Sequence, residues 1–345
     1  MPFERAAVNP VQWGSRRTLD AVLLSIGYAL FVVLFPWEEI SRAGFTDFDQ
    51  YVDYFNYFFQ KNDLSFSGVY QLSVDIFQPS TLIQYFSREV LWFELVRGLT
   101  RMTGDAAVAL RIISFVILFV WALFLLKRVS YAVVPLFLFN PFAIDTAMSG
   151  IRNGLAWSLV IVGFMIQSNA LRMALFMTGM FVHSSTLVLA VLYYFTQLVS
   201  RFKEREGLLF GGLGIGIFMG LSLTVGSELF LGAIGDRRQG QAYLVGGGSF
   251  LQASLWAALL GLQCMSGRTY IRQNIFVIAV LAWYLTMNPF VPWSYRIYGA
   301  FLPVIAAAAM NLSHRKRQLF IYLYSGYVAL QYLYWSKLFD YWYPA

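Results

Sequence analysis

Charge is scarce in this chain. Only 12% of its 345 residues are Asp, Glu, Lys or Arg, about half the share of a soluble domain. A surface covered by water needs far more, so a soluble enzyme is excluded. A disordered chain is excluded as well, because 18% of the residues are aromatic and such chains are poor in aromatics. Cysteine is nearly absent: Cys264 stands alone, inside an apolar run, which rules out a disulfide-built module and a thiolate metal cluster. The two histidines, His183 and His314, lie in different settings and cannot make a zinc site. Internal repeats and low-complexity tracts are also missing. What is abundant is apolar surface. With 59% hydrophobic residues and a mean hydropathy of +0.60, the composition predicts an all-α polytopic integral membrane protein.

A spanning helix needs roughly 20 mostly apolar residues. By that measure spans are expected near 19–37, 106–126, 131–148, 151–167, 208–232, 250–265, 274–291, 297–311 and 319–335. Residues 171–200 are too long for one span and are interrupted by His183, Ser184, Ser185 and Thr186, which predicts two short helices in a hairpin. About eleven transmembrane helices result, in one transmembrane domain over residues 1–345. The first apolar run follows Arg16 and Arg17 but has no small-residue cleavage site after it, so it reads as a retained span.

Net charge is +7, yet the basic residues sit in short runs between apolar segments. That placement marks topology, not a nucleic-acid surface. With a cytoplasmic N-terminus, the inner segments receive Arg5, Arg16, Arg17, Lys127, Arg128, Arg172, Arg201, Lys203, Arg205, Arg268, Arg272, Arg315, Lys316 and Arg317. This is 14 of the 25 basic residues, against four of the 18 acidic ones. Residues 38–105 then form one long outer loop.

That loop is the largest extramembrane segment. Phe48, Tyr51, Phe55 and Phe59 fall on one face at helical spacing, with Asp49, Asp53 and Asn56 opposite, which predicts an amphipathic helix at the membrane surface. Carboxylates and tyrosine rings are also what sugars bond to and stack upon, so Asp49, Asp53 and Tyr51 are candidates for an acceptor sugar. Asp47-Phe-Asp49 has the form of a nucleotide-sugar metal motif, but those donors are cytoplasmic and the loop is expected outside. Glu89 and Glu94 belong to a second amphipathic helix, where each reads equally as a base or as a solvated face.

Arginines at the outer ends of spans are the most informative residues. Arg152 and Arg296 open spans, Arg237 and Arg238 occupy a short outer loop, and Arg111 lies within a span. Ionisable groups at such depth normally face the bundle interior or a wet cavity. The planar guanidinium binds phosphate oxygens bidentately, so converging arginines point to a lipid-linked diphosphate. His183 reads either as a packing residue or as a phosphate donor or acid–base group. Gly212, Gly216 and Gly220 recur every fourth residue and predict close helix packing.

Taken in order, several short motifs resemble the EpsG/Wzy-like family of bacterial exopolysaccharide and O-antigen polymerases. They are Asp47-Phe48 with Tyr51, Glu89 at the opening of its helix, Ile151-Arg152-Asn-Gly-Leu-Ala, Phe181-Val-His183-Ser-Ser, and Tyr295-Arg296-Ile-Tyr298 after a proline-containing loop. The resemblance covers roughly residues 40–310. Phe45 stands where a Gly is usual, no Pro follows Glu89, and Asn153 replaces a common Gln. The resemblance implies a multi-pass protein of the bacterial inner membrane with a GT-C-like architecture and a site facing the periplasm. It implies an undecaprenyl-diphosphate-linked oligosaccharide as both donor and acceptor, membrane lipids as surroundings and a chain-length regulator as a partner. Catalysis would fall to Asp47, Glu89 and His183, and diphosphate binding to Arg152, Arg296, Arg238 and Arg237, with no cofactor and no metal. From their places in the chain, Asp47 and Glu89 are expected beside the acceptor and His183 beside the diphosphate.

Two rival readings use other chemistry. An O-antigen ligase-like transferase would carry a larger late outer loop than residues 234–248. A flippase or transporter of lipid-linked sugar would place charges at mid-depth and on the cytoplasmic half, whereas these cluster outward. The topology is tested by cysteine labelling in intact cells. Ser65→Cys and Ser249→Cys should react from outside and Ser313→Cys should not; reaction of Lys203→Cys would remove the hairpin at 171–200.

Overall fold

The computed structural model describes residues 15–41, 45–60, 89–226, 248–291 and 294–336. They form helices α1 (Ser15–Leu34), α2 (Trp37–Ile40), α3 (Thr46–Gln60), α4 (Val90–Thr103) and α5 (Ala106–Leu126). Next come α6 (Val134–Leu138), α7 (Pro141–Met148), α8 (Ile151–Met165), α9 (Asn169–Val182) and α10 (Ser185–Val199). Helices α11 (Arg205–Val225), α12 (Phe250–Cys264), α13 (Arg268–Met287), α14 (Tyr295–Met310) and α15 (His314–Trp335) complete the series. Among the described residues the sole β feature is an isolated bridge between Ser41 and Ser336. Three helices are long and apolar enough to cross a membrane, Ala106–Leu126, Arg205–Thr224 and Arg268–Met287. Pro141–Met148 and Ile151–Met165 make a fourth if that pair, bent by 104°, is one broken span. The protein is therefore an all-α membrane protein.

One expected span is corrected. Residues 131–148 do not form a continuous helix; the chain breaks between α6 and α7, where Asn140 and Pro141 meet. Proline has no N–H to continue a helix but suits its first turn, and the Asn140 side chain caps α7 by accepting from the Phe142 N–H at 2.8 Å. Irregular backbone at membrane depth needs partners from elsewhere in the protein. The Tyr28 hydroxyl donates to the Leu138 carbonyl at 2.5 Å, the Tyr332 hydroxyl donates to that of Phe139, and Asn140 Nδ2 donates to the Tyr324 hydroxyl at 2.8 Å. The first and last helices are thus tied to the break.

The hairpin over 171–200 is present. Helices α9 and α10 run antiparallel, with Tyr194 bonded to Met173 and Gly179 against Thr186, joined by His183 and Ser184. Basic residues assigned above to the cytoplasmic segments cap helix carbonyls. Arg172 donates to Gly163 and Ile166, Arg205 to Cys264 and Ser266, Arg272 to Phe202, and Lys316 to Met265. Cations placed there satisfy carbonyls that the helix itself leaves unpaired.

Helices α11 and α13 pack in parallel along the expected glycine stripe. A methyl group at Gly212 would lie 3.0 Å from Ile275, at Gly216 2.8 Å from the Ala282 methyl, and at Gly220 2.7 Å from Thr286. One at Gly214 would meet nothing within 4 Å. Gly216→Val should therefore lower the melting temperature of the detergent-solubilised protein sharply, since overpacking costs about 1–3 kcal/mol or more. Gly214→Val should leave it nearly unchanged. Equal effects at the two positions would contradict this packing.

Candidate functional site

The site is built where four segments meet. Helix α3 supplies Tyr51, and Phe48 and Phe55 on its inner side are buried. Helix α4 packs beside it through Trp92, whose ring centroid is 5.4 Å from that of Tyr51. At the start of α4 stands Glu89, with φ 61° and ψ 42°. This is the left-handed region, which costs an ordinary residue about 1–2 kcal/mol. Such a residue persists where its surroundings hold it, and the Glu89 side chain is held. Its carboxylate, 7% exposed, forms an ion pair with Arg152 and a hydrogen bond with His183 Nδ1. The Ser184 N–H lies 3.4 Å from the same oxygen that meets His183.

Arg152 is in the first turn of α8, and its guanidinium carbon lies 6.0 Å from the centre of the Tyr51 ring, at the limit of a cation–π contact. His183 ends α9, and Ser184 leads into α10. The starts of α8 and α10 are also joined directly. The Ser185 hydroxyl donates to Asn153 Oδ1 at 3.3 Å, and Trp157 Nε1 donates to Ser185 Oγ at 3.3 Å. Two helix N-termini, each carrying partial positive charge, therefore approach one carboxylate, one guanidinium and one imidazole. This arrangement can bind an anion, and it can hold an imidazole in a fixed orientation beside it.

Glu89, Arg152, His183 and Tyr51 come together. Glu89 was expected beside the acceptor and His183 beside the diphosphate; they touch each other, because Glu89 bridges Arg152 and His183. Asp47 lies half-buried in the first turn of α3. Asp49 and Asp53 lie on the exposed side of α3, opposite Phe48 and Phe55. Arg111 does not join the cluster: it is exposed on α5 in a stripe with Val108 and Ile112, a face suited to lipid. Glu94 pairs with Arg97 one turn along α4, the solvated-face reading. Arg237 and Arg238 lie outside the described residues, as does the side chain of Arg296. Among the described residues no three His, Cys, Asp or Glu side chains gather around a common point.

Sequence reading missed Trp157 and treated Asn153 only as a departure from a family pattern. Comparison of the chain with protein-family models, with curated proteins and with solved structures gave no match.

Breaking a buried ion pair by removing one partner costs about 3–5 kcal/mol, because the other charge is left desolvated. A double-mutant cycle on Glu89→Ala and Arg152→Ala, read by unfolding in detergent, should give a coupling energy above about 1 kcal/mol. Additive effects would mean the two side chains do not meet in the folded protein.

Proposed function

We propose that this protein is a polysaccharide polymerase of the EpsG/Wzy-like kind. It moves a glycan chain from undecaprenyl diphosphate onto a sugar hydroxyl of the next lipid-linked repeat unit. It works in the bacterial inner membrane, with about eleven spans in a GT-C-like arrangement, a cytoplasmic N-terminus and its site on the periplasmic side. The observation that carries this reading is the contact of Glu89 with both Arg152 and His183, each from a different motif of the resemblance.

The chemistry follows from the groups present. The hydroxyl oxygen of the acceptor attacks the anomeric carbon of the donor, and the bond from that carbon to the diphosphate oxygen breaks. The leaving diphosphate carries the electron pair away, and Arg152 neutralises its charge in a site shielded from water. Arg296, at the start of α14, is proposed as a second cation, with Arg237 and Arg238 as further ones. The hydroxyl proton goes to His183 Nε2. Nδ1 is engaged by Glu89, which fixes the ring and stabilises the imidazolium as it forms. This reassigns His183 from diphosphate ligand to base and Glu89 from base to positioning residue. Tyr51 and the acidic residues of α3, Asp47, Asp49 and Asp53, are proposed to meet the acceptor sugar.

A reconstituted assay with lipid-linked repeat units, scoring donor binding and product separately, tests the roles. His183→Ala should lower turnover by about 10²–10⁴-fold with donor affinity little changed. Arg152→Lys keeps a charge but loses the planar fork, so it should impair both binding and turnover nearly as much as Arg152→Ala. Wild-type turnover in both His183→Ala and Arg152→Ala would remove the cluster from the mechanism.

A further inference from the structure

Positive charge collects where α12 turns into α13. Residues 201–206, 264–273 and 313–317 hold eight Lys or Arg against two Glu. Two of these cations clamp the turn. From α11, Arg205 donates to the Ser266 carbonyl at 3.2 Å, and from α15, Lys316 donates to that of Met265 at 2.7 Å. Arg268 follows the turn as the first residue of α13, and Arg315 stands beside Lys316 in the first turn of α15. We infer that these groups bind the headgroup of an anionic phospholipid, whose acyl chains lie along α15. The inference is independent of the glycan-transfer reading, because the whole length of α10 separates this end of the bundle from Ser184 and Glu89.

The placement of charge favours a ligand over a purely structural role. Arg205 and Lys316 are answered in part by carbonyls at the end of α12. Arg268 and Arg315 are not: both are exposed, and neither makes an ion pair or hydrogen bond among the described residues. Each also stands where a helix begins. The first turns of α13 and α15 hold no acidic residue, and no side chain caps either helix. A cation there adds to the positive end of the helix dipole, which is unfavourable. One phosphate group answers the guanidinium and the open N–H groups together. Orientation during membrane insertion selects for cations on one side. Loop positions satisfy that demand equally well, so it does not account for cations in uncapped first turns.

What lies along α15 favours a lipid over a free anion. Arg315 heads a helical stripe of Leu319, Tyr322, Leu323 and Leu330, all of them exposed. At 1.5 Å per residue the stripe runs roughly 22 Å from Arg315, more than the roughly 15 Å of one leaflet. Met265, at the turn itself, is exposed as well. A headgroup phosphate held by Arg315 and Arg268 thus has apolar surface beside its chains for their full length. Cations gathered between membrane helices suit anionic headgroups in general.

Lipid retention by the full chain, purified in detergent and followed by native mass spectrometry, tests this with phosphatidylglycerol and phosphatidylcholine as probes. Wild type should retain phosphatidylglycerol about tenfold or more over phosphatidylcholine. Arg268→Gln and Arg315→Gln should each lower that preference about fivefold, and a melting curve verifies that each variant is folded. Arg111→Gln removes an exposed arginine from α5 and should leave the preference unchanged. Inorganic phosphate equimolar with the lipid should not displace phosphatidylglycerol. Equal retention of the two lipids, retention of neither, or a preference untouched by Arg268→Gln and Arg315→Gln overturns the inference. So does an equal loss in Arg111→Gln, which would mean bulk charge, or displacement by equimolar phosphate, which would mean a site for free anions.

Discussion

A carboxylate buried among apolar helices must be neutralised or it will not stay ionised, and in this protein that requirement joins segments far apart in the chain. Glu89 meets Arg152 from α8 and His183 from the α9–α10 connection, and its backbone adopts a left-handed conformation that no other non-glycine residue among the described ones shares. Because Arg152 lies in the first turn of α8 and His183 closes α9 just before α10, the pairing ties the start of α8 and the α9–α10 turn to the start of α4. The aromatic contacts of Trp92 and Tyr51 then hold α3 against the same point. Remove the carboxylate and the Arg152 guanidinium loses its counter-charge while the His183 ring loses the group that holds Nδ1.

The second constraint is backbone chemistry inside a membrane. A helix that stops at membrane depth exposes carbonyl and amide groups with no water to meet them. The break at Asn140 and Pro141 is answered by hydroxyls of Tyr28 and Tyr332 from the two ends of the chain. The breaks before Ile151 and Ser185 are used differently. The Ser184 N–H reaches the Glu89 carboxylate and the Ser185 hydroxyl donates to Asn153 Oδ1, so both helix starts become part of a polar site. Interruptions in the apolar pattern thus mark both the anchoring of the bundle and the place where chemistry is possible.

Legibility in the sequence followed the reach of each signal. Helix α5 was readable to the residue, because an uninterrupted apolar run bounded by Asp105 and Lys127 leaves one solution. The α9–α10 hairpin was readable because residues 171–200 are too long for one span and the polar cluster marks the turn, which falls at His183 and Ser184. The glycine stripe of α11 pointed to a close neighbour, although α13 could not be named from it. The split of residues 131–148 was missed, since hydropathy averages over Asn140 and Pro141 while the break depends on tyrosines 110 to 193 residues away. The site was legible as a set of residues and illegible as a set of partners. Arg152 and Arg111 look alike along the chain, and only the packing of α5 turns Arg111 outward. Whether Glu89 meets sugar or histidine is a long-range fact that no local pattern encodes.

The account we propose is a helical membrane protein whose buried Glu89, Arg152 and His183 serve glycan transfer from a lipid diphosphate. The most direct measurement is the surface polysaccharide profile of cells from which the gene has been deleted, beside cells complemented with the intact chain. The account predicts that deletion leaves products bearing a single repeat unit and that complementation restores the long chains. Loss of all surface-attached glycan, or a profile unchanged by deletion, would contradict it.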